Sequence, residues 1–447
     1  MTYSVGRARP YPLIAALLAA LLAMMALNRP LARGDGLAYL MWLDSIAGDG
    51  DMDLGNQAQI FAPVNSYQVY WNEDTGRWAT VFPYGVAVML APAYWLAQLV
   101  ERLGWLDVNS AYFVSLQGRP LPYSLFVMFA VNLYALGAVA LSYLCARFFV
   151  SPKPAAAAAL FLFLGTPALY YATIEPFYVH VPATFLVALV FYLLLRYEQG
   201  RPNLVLALGA GLVAGLATLV RWQVALTAWA LLLGLLLQRR WLAIGAFAVG
   251  FWAVAWHVFY TWQWMFGRPL VVSATESGFL SLPGHFLHVL FSDGRGLFVW
   301  SPLTALGVAG WVSLTRQRRW VAPGLWVAML LQVIINGAVI DWWGGWSFGM
   351  RRMTELMPLF VVGLGLLLER AGRRRRGAWW ALAGLCLGFS LLLLLSHLNF
   401  INTVAERPQG DRASVEIRYQ LTQSNLDVLR QVFREHYGPW AWSRPGP

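Results

Sequence analysis

The sequence predicts an all-α, polytopic membrane protein. Of its 447 residues, 59% are hydrophobic and 12% are charged, where an ordinary soluble domain carries about 25% charged residues. Apolar runs of about 17 to 25 residues recur along most of the chain, the length a helix needs to cross a hydrocarbon core of about 30 Å. A transmembrane barrel would show short alternating segments instead, so the runs read as helices.

Basic residues orient those spans, because Lys and Arg favour the cytoplasmic side of a bilayer. Arg7 and Arg9 precede the first span and place the amino terminus inside. Arg147 with Lys153, Arg196 with Arg201, Arg239 with Arg240, Arg316 with Arg318 and Arg319, and Arg370 with Arg373 to Arg376 mark further cytoplasmic turns. The alternating loops then face outward: those around Glu175 and Arg221, residues 263–301, the DWWGGWSFGMRR stretch and the tail after Ser396. This alternation requires that VFPYGVAVMLAPAYWLAQLVERLGW not cross completely. Pro83 and Pro92 within it each remove a helix hydrogen bond, favouring a broken or surface-lying helix. The expectation is about eleven transmembrane helices, with the carboxyl terminus outside, and about twelve if residues 82–103 cross fully.

The net charge of +11 does not imply nucleic acid, since the arginines lie in short clusters between apolar spans. Cys145 and Cys386 fall inside apolar runs far apart in sequence, a pattern of neither a disulfide framework nor a metal site. The first span lacks a small-residue cleavage site and runs on into PLARGDG, so it reads as a retained anchor.

After that anchor comes RGDGLAYLMWLDSIAGDGDMDLGN, with aspartates at positions 35, 44, 49, 51 and 53. Leu37, Leu40, Leu43 and Ala47 recur near helical spacing, predicting a helix that lies in the membrane interface. GDGDMDLGN then favours turns. The later aspartates fit a solvated outer loop. Asp35 stands at the membrane boundary, where a carboxylate reaches both a lipid head group and water, and Tyr39 in the same segment joins it as a candidate donor-binding residue.

The same topology gathers further polar residues on the outer face. ALYYATIEPFYVH supplies Glu175 and His180 among Tyr170, Tyr171 and Tyr178. Ionisable groups at such depth are costly and mark function by default, although His180 equally fits a hydrogen-bonded core and Glu175 a helix cap. Arg221, in TLVRWQVAL, interrupts apolar spans where topology calls for no cation; an anion partner, either a carboxylate or a bound phosphate, would explain it. SATESGFLSLPGHFLHVLFSDGRGLFVWSP adds Glu276, His285, His288, Asp293 and Arg295. The histidines are spaced to share a helix face, but no partnering ligand motif accompanies them, so no metal is assigned. Asp341, Trp343, Trp346, Arg351 and Arg352 form a last cluster, in which the tryptophans also suit an interfacial belt.

Neither a GK[ST] phosphate loop, nor a GxGxxG dinucleotide turn, nor a GxSxG elbow is present. An enzyme acting outside has no access to cytoplasmic nucleotides, so its activated donor must arrive in the lipid, which points to a polyprenyl phosphate carrier. A transporter or flippase would show inverted repeats, and no clear repeat is visible. A non-catalytic scaffold is the other alternative.

The blocks RGDGLAYLMWLDSIAGDGDMDLGN, RFFVSPKPAAAAALFLFLGTPALYY, EPFYVH, LVRWQ, FSDGRGLFVWSP and GGWSFGMRR, in that order, resemble the bacterial branch of the GT-C glycosyltransferases. That branch is related to protein O-mannosyltransferases and lipid A aminoarabinose transferases, and the likeness extends to about His397. The resemblance implies a GT-C-like catalytic domain over residues 1–398, with juxtamembrane helices in the first outer loop (29–120) and a small outer segment at 399–447. It implies a polyprenyl-phosphate sugar as donor, with a lipid, glycan or protein acceptor. It places an acidic motif after the first span: Asp35 matches its first position, and Gly36 stands where a second acid is frequent.

Glycosyl transfer needs a base for the acceptor proton and positive groups for the departing phosphate. Asp35 is therefore expected as base, with Arg221, Arg295, Arg351 or Arg352 holding the phosphate and a single inverting displacement at the sugar. Glu175 and His180 would shape the pocket, with Glu276, His285 and Asp341 as secondary candidates; Trp343 and Trp346 would stack on sugar or line the lipid entrance. No cofactor beyond the lipid-linked donor is expected, and the metal requirement stays open. The setting implied is the bacterial inner membrane with a periplasmic site.

Overall fold

The computed structural model describes residues 11–29, 34–61, 69–105, 123–199, 203–271, 284–316, 320–345, 347–370 and 373–405. Helix α1 (Tyr11–Leu27) is followed by α2 (Asp35–Leu43), a wide π turn (Asp44–Asp49) and α3 (Gly55–Phe61). A short antiparallel hairpin, β1 (Tyr70–Asn72) and β2 (Arg77–Ala79), pairs Trp71 with Trp78. Next come α4 (Gly85–Arg102), α5 (Ser124–Arg147), α6 (Pro152–Leu164), α7 (Pro167–Thr173), α8 (His180–Gln199) and α9 (Leu204–Val220). The remainder is α10 (Val224–Leu231), α11 (Leu233–Leu237), α12 (Trp241–Phe266), α13 (Phe286–Phe291), α14 (Leu297–Trp300), α15 (Pro302–Arg316), α16 (Val321–Gly337), a 3₁₀ turn (Arg351–Leu356), α17 (Met357–Arg370) and α18 (Arg373–Ala405).

Among the described residues, α5, α8, α12 and Gly377–Asn399 of α18 are long and apolar enough to cross a membrane. The pair α6–α7, bent by 64°, makes a fifth if counted as one span, and Leu18–Leu27, Leu204–Val220, Val224–Leu237 and Val321–Gly337 are shorter apolar helices. The bend has a local cause. Gly165 ends α6, and Thr166 caps α7 by accepting from the Ala168 N–H, with Pro167 as the first helical residue.

Membrane helices gain little from hydrophobicity against one another and associate through close backbone approach. That is visible at Gly211 of α9, where an added Cβ would lie 2.1 Å from the Phe247 carbonyl oxygen of α12, and at Gly310 of α15, where it would lie 1.8 Å from that of Gly363 in α17. Any side chain there would push the helices apart.

Helix α2 is covered by protein on more sides than the single apolar face expected from the sequence. Ala38 through Leu43 are all buried, and Trp42 donates its indole N–H to the Phe82 carbonyl at 2.9 Å. A helix apolar on every side belongs inside a bundle; GLAYLMWL is such a segment. Helix α4 packs against it and is continuous through Pro92, and Tyr94 donates to Asp44 at 2.5 Å. The aspartates after Asp35 are held within the loop: Gln57 and Asn56 donate to Asp49 at 2.5 and 2.7 Å, and Ser45 donates to Asp51 at 3.0 Å. At the other end, Asn132 of α5 donates to the Ala172 carbonyl at 2.6 Å and accepts from Asn28 at 2.8 Å. The exit of α1 is thereby tied to α5 and α7, which brings the chain to Asp35 beside the loop after α7.

Candidate functional site

Four chain segments meet around α2. Asp35 opens that helix; the loop 174–179 carries Glu175 and Tyr178; His180 opens α8; Arg221 follows the last residue of α9. The 3₁₀ turn Arg351–Leu356 runs past all of them, tied to the α7 end by the Phe348 N–H on the Tyr171 hydroxyl at 3.3 Å. Charged side chains on helix ends and a turn, rather than in helix middles, let their polar heads converge without breaking a bundle.

On one side, Arg351 Nη2 donates to Asp35 Oδ2 at 2.8 Å, and its guanidinium lies over the Tyr178 ring at 5.1 Å. Arg351 is 8% exposed, yet among the described residues its Nε and Nη1 have no hydrogen-bond partner. Unmade hydrogen bonds on a buried cation are costly, so these donors stand ready for an anion. Burial works to lower the Arg351 pKa, but Asp35, the tyrosines at 178 and 171, and Glu175 outweigh it, so the side chain is firmly cationic. Tyr39 sits one turn along α2 from Asp35; burial and then Asp35 push its hydroxyl well up, and it also feels Arg221, Arg351 and Glu355. It stays a neutral hydroxyl between the two halves of the site.

On the other side, each nitrogen of Arg221 has a partner. Its Nε and Nη2 donate to Gln223 Oε1 at 2.9 and 2.6 Å, and its Nη1 donates to Glu355 Oε1. His180 Nδ1 lies 2.9 Å from that same Glu355 oxygen. The imidazole stacks on Tyr178 at 6.1 Å and tilts against Tyr171 at 4.7 Å. The network continues inward, with Gln332 donating to the Gln223 carbonyl at 2.9 Å and to Thr227 at 3.1 Å.

The anion partner that Arg221 required is thus a carboxylate, and it comes from a residue the sequence reading did not single out. Glu355 lies in RRMTELMPLF, four positions after Arg351 and directly before an apolar run. A lone acid there was the available signal, since ionisable groups in apolar surroundings are rarely incidental.

The other candidates divide. Glu175 is fully buried and within electrostatic reach of Arg351, so it belongs to the Asp35 side. Arg295 is buried with its guanidinium over Trp300 at 4.9 Å and donates to the Gly294 carbonyl at 3.0 Å. Arg352 pairs with Asp341 at 2.6 Å and remains within electrostatic reach of Arg351 and Arg221. His285 precedes α13, and its ring lies 5.5 Å from His288, with both beside Trp342. Trp343 is half-buried next to Trp342. Glu276 and Trp346 lie outside the described residues, as do 406–447 of the tail segment. Among the described residues no group of His, Cys, Asp and Glu gathers as a metal cluster. At Gly36 an added Cβ would touch the Tyr178 ring at 3.5 Å, so a second acid there would be packed against the aromatic surface that carries Arg351.

No protein-family model matches the chain, and no curated protein matches it. Solved structures do. ArnT from Cupriavidus metallidurans, in the apo state, aligns with a TM-score of 0.52 at 13% identity, over 94% of this chain and 74% of its own. The oligosaccharyltransferase of Archaeoglobus fulgidus, in its apo form, aligns at 0.49 and 12% identity, over 95% of this chain and 56% of its own. AglB of the same organism, in complex with an inhibitory peptide and a dolichol-phosphate, gives 0.45 and 13%. The chain spans about three quarters of ArnT and little more than half of the archaeal enzyme. The ArnT alignment establishes the fold: a predominantly helical chain folded like ArnT, with four helices, or five counting the bent pair, long and apolar enough to cross a membrane among the described residues.

Proposed function

We propose that the chain is a membrane glycosyltransferase that takes a sugar from a polyprenyl-phosphate donor and transfers it to a lipid, glycan or protein acceptor at the outer face. The observation that carries this reading is Arg351. A buried guanidinium offers one N–H to Asp35 and, among the described residues, leaves Nε and Nη1 without a partner, donors on two edges of the fork that can each reach an oxygen of an anion. The carboxylate a base requires and the cation a departing phosphate requires are then adjacent. Asp35 keeps contact with solvent at 20% side-chain exposure, so an acceptor hydroxyl can reach it.

In the reaction, Asp35 takes the acceptor proton as the acceptor oxygen bonds to the anomeric carbon. The bond from that carbon to the phosphate oxygen breaks, and the electron pair leaves with polyprenyl phosphate, whose growing charge Arg351 stabilises. One displacement inverts the anomeric centre. Glu175 and Tyr39 flank the sugar, Trp343 stacks on it or lines the lipid entrance, and Arg295 is a further cation for the carrier. The ArnT fold and the dolichol-phosphate bound to AglB support a lipid-linked donor. The arrangement we infer is about eleven spans with a cytoplasmic amino terminus and a periplasmic site, with residues 1–398 catalytic and 399–447 a small outer segment.

The test is release of free polyprenyl phosphate when purified protein meets a panel of polyprenyl-phosphate sugars and membrane extract. Release by wild type and its loss in Asp35→Asn supports the enzyme. No release from folded wild type with any donor returns the choice to a transporter or a scaffold.

A further inference from the structure

We propose that Glu355 is a positioning residue. It fixes the His180 ring with its proton on Nδ1, so that Nε2 faces the ligand as a neutral hydrogen-bond acceptor and reads a hydroxyl of the donor's sugar. The identity of the ligand rests on the proposed function; the placement of the ring rests on its contacts with Glu355, Arg221, Tyr171 and Tyr178.

His180 Nδ1 has two neighbours at 2.9 Å, Glu355 Oε1 and Arg221 Nη1. An arginine nitrogen can only donate and a carboxylate oxygen can only accept. Arg221 Nη1 directs one N–H at Glu355 Oε1, and the contact between Nδ1 and that carboxylate oxygen is favourable when Nδ1 carries the proton, which is the arrangement proposed. In a neutral imidazole the lone pair is then on Nε2. Among the described residues Nε2 has no hydrogen-bond partner, although the residue is only 3% exposed. The ring cannot easily swing to find one, since it is stacked on Tyr178 and braced by Tyr171.

The charges agree with this role. Arg221 neutralises Glu355, so the imidazole has no net charge to offset and stays an acceptor. Arg221 has each of its three nitrogens engaged on Gln223 or Glu355, whereas Arg351 has only Nη2 engaged among the described residues. The task of Arg221 is to hold Glu355, not to bind the donor.

Placement supplies the ligand class. Tyr178 carries the Arg351 guanidinium and also stacks with His180, so whatever is esterified to a phosphate on Arg351 lies one aromatic ring from the imidazole. A polyprenyl tail has no O–H to offer an acceptor; a sugar has several. The 3₁₀ turn that carries both Arg351 and Glu355 thereby fixes the distance between phosphate recognition and sugar recognition.

The experiment compares two ligands, polyprenyl monophosphate and the polyprenyl-phosphate sugar that wild type turns over, each titrated against full-length protein in nanodiscs without acceptor. In Glu355→Gln the amide can donate to Nδ1 and move the ring proton to Nε2. The sugar-bearing donor should then bind about tenfold more weakly, while the bare lipid changes less than about twofold. Should Glu355→Gln leave Arg221 uncompensated and unfold, the double variant Arg221→Gln/Glu355→Gln removes both charges and should show the same split. Nitrogen NMR of ring-labelled histidine should report an unprotonated Nε2 for His180 in wild type and a protonated one in Glu355→Gln. Equal weakening of both ligands, no weakening of either, or a protonated Nε2 in wild type overturns the proposal. Failure of wild type to bind bare polyprenyl phosphate overturns the Arg351 assignment instead.

Discussion

Arg221 and Arg351 are the same residue type at similar burial, about a side chain apart from the same tyrosine-lined centre, and they are not interchangeable. Arg221 has Nε, Nη1 and Nη2 all engaged, on Gln223 and Glu355. Among the described residues Arg351 has only Nη2 engaged, on Asp35, with Nε and Nη1 open. Guanidinium chemistry does not distinguish them; the count of unmade hydrogen bonds does. We read the fully partnered cation as part of the frame and the one with open nitrogens as the candidate for a ligand, because an unpaired buried donor is costly and calls for an explanation.

The contrast can be broken in order of expected effect. Asp35→Asn should lower turnover by about 10²- to 10⁴-fold, as loss of a positioned general base does, with the thermal transition retained; wild-type turnover in a folded Asp35→Asn protein removes it as base. Arg221→Gln should act on stability, because it strands Glu355, a carboxylate at 6% exposure, and breaking a buried pair costs about 3 to 5 kcal/mol. A thermal transition unchanged from wild type would show that Arg221 is not part of the frame. Arg351→Gln should weaken polyprenyl monophosphate binding by about 10²-fold through two lost charge-assisted hydrogen bonds, with a smaller effect on stability because Asp35 retains water. Smallest of all, Asp341→Asn should cost about 1 kcal/mol or less, since Asp341 and Arg352 are partly exposed at 28 and 13% and such pairs contribute little. A large loss of donor binding in Asp341→Asn would instead place Arg352 at the phosphate.

Much of the site was legible because ionisable residues stand out in an apolar chain. Asp35, His180, Arg221 and Arg351 each interrupt a greasy stretch, and all meet in space. What sequence cannot carry is which acid answers which arginine, since Asp35 with Arg351 and Glu355 with Arg221 are joined only by the packing of α2, α9 and the 3₁₀ turn. Glu355 escaped notice because TELMPLF reads as the start of an apolar span. The buried position of α2 was misjudged for a related reason: leucines at helical spacing suggested one apolar face, while Ala38, Tyr39, Met41 and Trp42 filled the others. The bend between α6 and α7 was written in GTP, residues 165–167, as a helix stop followed by a capped start.

One titration bears most directly on the division of labour. Polyprenyl monophosphate is added to wild type, to Arg351→Gln and to Arg221→Gln/Glu355→Gln, and the dissociation constants are compared in protein of verified fold. The expected result is tight binding by wild type and by the double variant, with a loss of about 10²-fold in Arg351→Gln alone. Wild-type affinity in Arg351→Gln together with loss in the double variant would reverse the roles of the two arginines and contradict the account.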